Sequence, residues 1–193
     1  MLQTIDWQAR AKSAHLPNRP FIDGGYVHSL SGETFPCIYP GDGRLLIDVA
    51  SCNAADVDVA VKSARKAFNA GVWSRMIPAD RRRILLKFSE LILANREELA
   101  LLETLNVGKP IANAYNGDAV SAAACIAWYA EAIDKVYGEV AATAHDMTTL
   151  VVREPLGIVL THGGAERFLG DQLRQDHVLG RHLQLAARLC QQR

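Results

Sequence analysis

The fold is decided where one hydrophobic pattern gives way to another, in the stretch Leu45-Leu-Ile-Asp-Val-Ala50-Ser-Cys-Asn53-Ala-Ala-Asp-Val-Asp-Val-Ala-Val61. Its first half is a short apolar run of the kind that forms a strand. From Asn53, a favourable helix N-cap residue, the apolar positions follow helical spacing, and Gly71 is placed to end the helix. The sequence therefore predicts a strand followed by a helix over residues 54–70.

Upstream of this stretch, turn residues separate short apolar runs. Asp23-Gly24 is a strong hairpin signal, and the turn Pro40-Gly-Asp-Gly43 follows a second run. We therefore expect an antiparallel meander within residues 1–50. Residues 1–20, with a weak helical pattern at Ile5 to Ala14, are expected to form a peripheral arm.

Downstream, helical spacing dominates as far as Gly138. We expect helices over residues 79–94, 96–107 and 110–136, and Trp128 and Tyr129 are interpreted as core residues of the last. Two runs rich in β-branched residues predict strands at 148–152 and 156–160, with a bend at Pro155.

Composition excludes several classes of function. Lys+Arg and Asp+Glu are both 21, so the net charge is zero and we expect no nucleic-acid partner. No apolar run approaches the roughly 20 residues of a membrane span. The start has no secretory signal pattern, so we expect a cytoplasmic protein with reduced thiols and no membrane partner.

The residues by themselves carry no signature of catalysis or cofactor binding, so no catalytic and no cofactor-binding residue is assigned. The four cysteines (Cys37, Cys52, Cys125 and Cys190) form no C-x-x-C pair. His177 and His182 would lie about 140° apart around a helix, which does not favour a metal site. Arg81-Arg-Arg83 is interpreted as a solvated helix face.

Several segments nevertheless resemble the aldehyde dehydrogenase superfamily, in the right order over residues 1 to about 160. They are Phe21-Ile-Asp-Gly-Gly-Tyr26, Ser31-Gly-Glu-Thr-Phe35, Leu101-Leu-Glu-Thr-Leu-Asn-Val-Gly-Lys-Pro110 and Val152-Arg-Glu-Pro-Leu-Gly-Ile-Val159. The segment Trp128-Tyr-Ala-Glu-Ala-Ile-Asp-Lys-Val-Tyr-Gly-Glu-Val140 is similar to the bacterial branch that oxidises γ-glutamyl-γ-aminobutyraldehyde and 4-guanidinobutyraldehyde in putrescine and arginine breakdown.

This resemblance implies an α/β fold: the N-terminal portion of an aldehyde dehydrogenase, with an antiparallel arm, helices and an incomplete dinucleotide-binding sheet. In the intact family a cysteine thiolate attacks the aldehyde, NAD accepts hydride, and water releases the acid. The family also implies a homo-oligomer, with the segment matching 137–152 among the strands that cross to a neighbouring subunit. A monovalent cation is implied near backbone carbonyls of the segment matching Cys37-Ile38 and near a carboxylate in the segment matching Asn106, which makes Ile38 and Asn106 the candidate metal ligands.

The resemblance stops after Leu160, where Gly163-Gly-Ala-Glu-Arg167 replaces the family's next motif. Residues 161–193 contain no lysine, and we interpret them as an unrelated tail. A reading-frame shift near residue 160 would produce such a tail, and a genuine alternative end is the other origin. The family's nucleophile and cofactor motifs are not found, so we expect a fragment without activity or NAD binding that is prone to aggregate. The alternative is a non-catalytic remnant or an interaction module.

Overall fold

The structure of the protein is a computed structural model that describes residues 5–159. Within that part, three separate antiparallel hairpins flank a set of packed helices. The helices are α1 (Trp7–Ser13), α2 (Ala54–Ala70), α3 (Pro78–Ala94), α4 (Arg96–Val107), α5 (Ile111–Asn113) and α6 (Ala119–Ala132). The strands are β1 (Phe21–Ile22), β2 (Gly25–Tyr26), β3 (Thr34–Ile38), β4 (Leu45–Ala50), β5 (Glu139–Ala141) and β6 (Thr149–Val151). None of the helices in residues 5–159 has the length and apolar character to cross a bilayer.

Helix α2 occupies the predicted residues 54–70 because both of its ends are capped locally. The Asn53 side chain accepts hydrogen bonds from the N–H groups of Ala55 (2.9 Å) and Asp56 (3.3 Å). The Asp56 carboxylate accepts in return from the Asn53 N–H at 2.9 Å, which completes a capping box. Gly71 then ends the helix in the left-handed region at φ 66°.

The antiparallel hairpins expected within residues 1–50 are present, but they do not join into one meander, because β2 and β3 do not pair with each other. The β1–β2 and β3–β4 hairpins are separate two-stranded sheets. The connection between them is held by α2 and by the residue after β4 instead. The Leu30 N–H donates to Asp56 Oδ1 of α2 at 2.8 Å, and the Ser31 hydroxyl donates to the Ser51 carbonyl at 2.8 Å. These bonds draw residues 27–33 towards the start of α2 and away from a continuous ladder.

The helical core is built on small residues that let helices approach closely. Helices α3 and α6 pack against each other, and the buried Ser89 hydroxyl donates to the Ala123 carbonyl at 2.8 Å. Leu102 of α4 is the largest side chain that is fully buried in the described part, at 1% exposure. Trp128 and Tyr129 were expected in this core, but they are 66% and 61% exposed because α6 turns Ala123 and Ala130 inward instead.

The predicted helix over 110–136 is interrupted and shorter than expected. Ala114–Asp118 form a π-helical turn between α5 and α6. The stretch Asn116-Gly-Asp118 is a weak helix former, and the Asp118 carboxylate is drawn to the Lys109 ammonium. Helix α6 ends at Ala132, where the Lys135 ammonium donates to the Glu131 carbonyl.

The C-terminal part of the described chain is a β-hairpin followed by irregular backbone. Strand β6 confirms the strand predicted at 148–152, and Glu139 pairs with Val151 across the hairpin. Gly138 is required here, because a Cβ at this position would lie 2.6 Å from the Val151 carbonyl oxygen. The strand predicted at 156–160 is wrong over 156–159: Pro155 cannot donate to a ladder and Gly157 takes φ 121°. Leu160 and the tail 161–193 lie outside the described residues.

The N-terminal helix α1 is docked against the helical core. Arg10 forms an ion pair with Glu97 of α4 at 2.7 Å. The Trp7 ring meets the Tyr115 ring edge-on, with 5.4 Å between centroids. The Arg96 guanidinium lies over the same Tyr115 ring, 4.1 Å from its centroid. The arm expected over residues 1–20 therefore reaches the start of α4 and the π-helical turn.

Replacement of Asp56 by alanine is expected to lower the free energy of unfolding by about 2–3 kcal/mol. Asp56 is 4% exposed, and its loss leaves the N–H groups of Leu30 and Asn53 without their charged acceptor. Urea unfolding followed by far-UV circular dichroism at low protein concentration measures the change. Asp58→Ala removes an exposed carboxylate from the same helix and is expected to change the free energy by less than about 0.5 kcal/mol. Equal losses in the two variants would contradict this role of Asp56.

Candidate functional site

The turn between β3 and β4 rests on the C-terminal end of helix α4. Gly108 follows α4 in the left-handed region at φ 73°, and its N–H donates to the Thr104 carbonyl. A Cβ at Gly108 would lie 3.0 Å from Pro40 Cγ, so the glycine also allows the turn to approach the helix. We call this contact between β3 and the end of α4 the β3–α4 junction.

The side chains of Cys37 and Asn106 meet at the β3–α4 junction. The Cys37 thiol donates to Asn106 Oδ1 at 3.5 Å, and Asn106 Nδ2 donates to the Leu102 carbonyl at 2.8 Å. The pairing register of β3 with β4 shifts between Cys37 and Ile38, so a bulge lies directly beside this contact. The junction thus places Asn106 beside the segment Cys37-Ile38, and these are the two segments that the sequence nominated for a cation site at Ile38 and Asn106.

These residues do not fit a resident monovalent cation well. Their donor set is neutral, consisting of an amide, a thiol and backbone carbonyls, and the amide oxygen already accepts the thiol hydrogen bond. Residues 5–159 contain no group of three or more His, Cys, Asp or Glu side chains that could hold a metal ion. A cation site at Ile38 and Asn106 stays a prediction, and the geometry favours low affinity.

The three cysteines of the described region lack the surroundings of a catalytic thiolate. The hydrogen-bond partner of Cys37 is an amide oxygen and not a base or a positive charge. Partial burial, and after it the nearby Asp56 carboxylate, raise the pKa of the Cys52 thiol. Cys125 is exposed on α6, and within residues 5–159 no hydrogen bond joins a cysteine to a histidine. Cys190 lies outside the described residues.

The described residues also do not fit a dinucleotide. A dinucleotide-binding sheet is parallel, with the phosphates at a glycine-rich turn between a strand and a helix. All strand pairs in residues 5–159 are antiparallel, and the glycines at positions 24, 32 and 43, which take positive φ, lie in or beside hairpins.

Known sequences that resemble this chain come from one family of enzymes. The sequence model of the aldehyde dehydrogenase family matches residues 26–161. NADP/NAD-dependent aldehyde dehydrogenase PuuC of Escherichia coli is 45% identical over 153 residues, which are 79% of this chain and 31% of that protein. Aminoacetaldehyde dehydrogenase of Pseudomonas aeruginosa is 41% identical over 159 residues, which are 82% of this chain and 32% of the relative. The chain thus spans about a third of the length of these relatives.

Solved structures agree with the sequence matches. An indole-3-acetaldehyde dehydrogenase of P. syringae, in complex with NAD+, is 53% identical with a TM-score of 0.76, over 79% of this chain and 31% of that one. A γ-glutamyl-γ-aminobutyraldehyde dehydrogenase of Burkholderia cenocepacia is 49% identical with the same TM-score of 0.76, again over 79% and 31%. The fold class inferred from the resemblance, the N-terminal portion of an aldehyde dehydrogenase, is confirmed. The chain belongs to the aldehyde dehydrogenase family.

Proposed function

We propose that this chain provides the N-terminal portion of an NAD-dependent enzyme that oxidises an amino- or guanidino-aldehyde to the acid, and that these 193 residues alone do not catalyse the reaction. The observation that carries the proposal is the match of about four fifths of the chain, in structure and in sequence, to aldehyde dehydrogenases, two of which are named for amine-bearing aldehydes. The described residues then supply the framework, and the reacting thiol and the cofactor site belong to other parts of such an enzyme.

The chemistry of the described side chains supports the proposal that the reacting thiol and the cofactor site lie in other parts of the enzyme. Covalent oxidation of an aldehyde needs a thiolate beside a base or a positive charge. Cys37, Cys52 and Cys125 have neither among the hydrogen bonds and ion pairs of residues 5–159. NAD, whose nicotinamide accepts hydride in the family reaction, has no parallel sheet to bind in this region. The proposed boundary of the family portion at residue 160 is supported by the sequence match, which ends at residue 161.

The β5–β6 hairpin is proposed as a subunit contact in the intact homo-oligomer. It has only two strands, so both of its edges are open within residues 5–159. Tyr137 and Val140 are both 73% exposed, and Leu150 is exposed as well. A two-stranded sheet with uncovered apolar side chains gains stability from a further layer.

The same exposed hairpin favours a second candidate, a non-catalytic remnant or interaction module that binds through this surface. The two candidates differ in whether the framework supports catalysis once the remaining two thirds of the fold are supplied. The substrate class is a separate question, because one similar structure is an indole-3-acetaldehyde dehydrogenase.

Two chimeric enzymes test the proposed function. Residues 1–159 replace the matching part of the P. aeruginosa aminoacetaldehyde dehydrogenase in one, and of the P. syringae indole-3-acetaldehyde dehydrogenase in the other. We expect both to form NADH, with kcat/KM of the first chimera within about a hundredfold of its parent. In the second chimera, the ratio of kcat/KM for aminoacetaldehyde over indole-3-acetaldehyde is expected to rise about tenfold.

The outcomes separate the candidates. Chimeras that fold and assemble like their parents but form no NADH would favour the non-catalytic remnant. Active chimeras whose selectivity stays with the indole aldehyde would show that residues 1–159 do not select the substrate, and would leave the family framework in place.

A further inference from the structure

Helix α4 ends with a partial negative charge that no basic side chain of its last turn offsets. The carbonyl groups of a helix C-terminus carry the negative end of the macrodipole, which favours a cation or an N–H donor nearby. The last turn of α4 contains no basic residue, and Lys109, just beyond it, pairs with Asp118. Asn106, the penultimate residue of α4, donates through its side-chain amide to the carbonyl of Leu102, one turn back along the helix.

The other end of the Asn106 carboxamide faces strand β3. Its oxygen accepts the thiol hydrogen bond of Cys37, next to the bulge at Ile38. One neutral side chain therefore presents its N–H edge to the C-terminal half of α4 and its oxygen to the strand. Pro40 lies against Gly108 beside it.

We infer that the Asn106 carboxamide takes the place of a monovalent cation at the β3–α4 junction. A cation at this point would offset the helix terminus and gather oxygen atoms from strand and helix. The carboxamide joins the same two elements through Leu102 and Cys37 without an ion. The junction is thus independent of Na+ and K+, and the identity of residue 106 sets that independence.

Replacement of Asn106 by aspartate exchanges a hydrogen-bond donor near the end of α4 for a negative charge. A carboxylate cannot donate to the Leu102 carbonyl, and it adds a full negative charge to the negative end of α4. The thiol hydrogen bond to Cys37 is retained, so the loss falls on the helix side of the junction. A small cation that binds there would offset the added negative charge. The stability of Asn106→Asp therefore depends on which salt is present.

Helix α2 supplies a matched control. Asn69 is likewise the penultimate residue of its helix, and that helix also ends at a left-handed glycine, Gly71. The Asn69 side chain is exposed, and a Cβ at Gly71 would lie 2.6 Å from Arg75 Nε, so an arginine side chain already lies at this helix end. Asn69→Asp therefore adds the same charge at the same kind of position without creating a need for an ion.

The test compares thermal unfolding of the full chain and both variants in about 0.15 M choline, sodium or potassium chloride, with calcium and magnesium absent. We expect the unsubstituted chain and Asn69→Asp to show the same Tm in all three salts. Asn106→Asp is expected to melt lower in choline and to recover roughly 2–4 °C in sodium or potassium. A saturable rise in the Tm of the unsubstituted chain with Na+ or K+, or an Asn106→Asp variant as indifferent as Asn69→Asp, would overturn the inference.

Hydrogen exchange provides a second readout if an unfolding transition is too broad to give a Tm. Peptides that cover residues 34–38 and 103–108 report on the two sides of the junction. In Asn106→Asp we expect protection of both to fall in choline and to return with sodium or potassium, while α2 is unaffected. Loss of protection that no cation restores, or cation-dependent protection in the unsubstituted chain, would refute the replacement of an ion by the amide.

Discussion

The purified 193-residue chain is expected to form no NADH above the buffer rate when it is given NAD+ and γ-aminobutyraldehyde or aminoacetaldehyde. Intact enzymes accelerate reactions by about a millionfold or more, so this is a complete loss rather than a reduced rate. The physical reason is that no cysteine of residues 5–159 has the surroundings of a reactive thiolate. Cys52 has a raised pKa, Cys37 bonds to an amide, and Cys125 is exposed on α6 with no base bonded to it within residues 5–159.

The matched control is a variant with Cys37, Cys52, Cys125 and Cys190 all replaced by serine. Any residual signal that is equal in the chain and in this variant reports a contaminating host enzyme, and repurification is expected to remove it. NADH formation that persists through repurification and disappears in the serine variant would contradict the inactivity of the chain. NAD+ titration of the same samples is expected to give no saturable binding.

Self-association is the second large expected effect. Between Trp128 and Val159 the chain exposes a series of large apolar side chains, of which Leu156 is 99% exposed. Uncovered apolar surface and open strand edges both drive association. In reducing buffer at micromolar concentrations, we expect the chain to sediment well above its monomer mass of 21.1 kDa, with helical circular dichroism but a broad unfolding transition.

Charge placed on the β5–β6 hairpin is expected to reverse this association. The double variant Val140→Lys and Leu150→Lys pairs two lysines across the hairpin, since Val140 and Leu150 are register partners. Burial of unpaired charge opposes assembly, so the apparent dissociation constant is expected to rise by at least about tenfold.

Two exposed valines of α2 provide the control for this charge change. Val57→Lys and Val61→Lys add the same charge and are expected to leave the oligomers in place. Deletion of residues 161–193 is also expected to change little. A monodisperse monomer with a sharp transition that is lost on this deletion would show that the tail is a folded partner of the core.

Much of the secondary structure could be predicted because its signals are local. The N-cap Asn53 and the stop at Gly71 lie next to the helix they bound, so the limits of α2 follow from neighbouring residues. The separation of β2 from β3 could not be read in this way. It depends on Asp56 capturing the N–H of Leu30, a residue 26 positions away.

The exposure of two aromatic side chains of α6 could not be predicted, for a related reason. Trp128 and Tyr129 look like core residues by type, but the face that turns inward is chosen by contacts with α3, and alanines fit that contact more closely. The π-helical turn before α6 likewise depends on an ion pair between Lys109 and Asp118. The weak helix former Asn116-Gly-Asp118 is a local signal for an interruption, but it does not by itself specify a π-helical turn.

The candidate site was likewise predictable only in part. Ile38 and Asn106 were nominated by family resemblance, and the structure places their segments together at the β3–α4 junction. The contact between Cys37 and Asn106 joins residues 69 positions apart, so spacing alone could not suggest it. The replacement of a carboxylate by an amide was visible in the sequence, whereas the partners of that amide were not.

The central claim is that this chain contributes framework and no reacting group to an aldehyde dehydrogenase. The most direct test is the NADH burst of the chimera with the P. aeruginosa parent, in which Cys37, Cys52 and Cys125 are all replaced by serine. One equivalent of NADH released before the steady state reports attack by the enzyme's nucleophile. The account predicts a burst of the same amplitude as in the chimera that keeps its cysteines. A burst abolished by these substitutions in a folded chimera would contradict it.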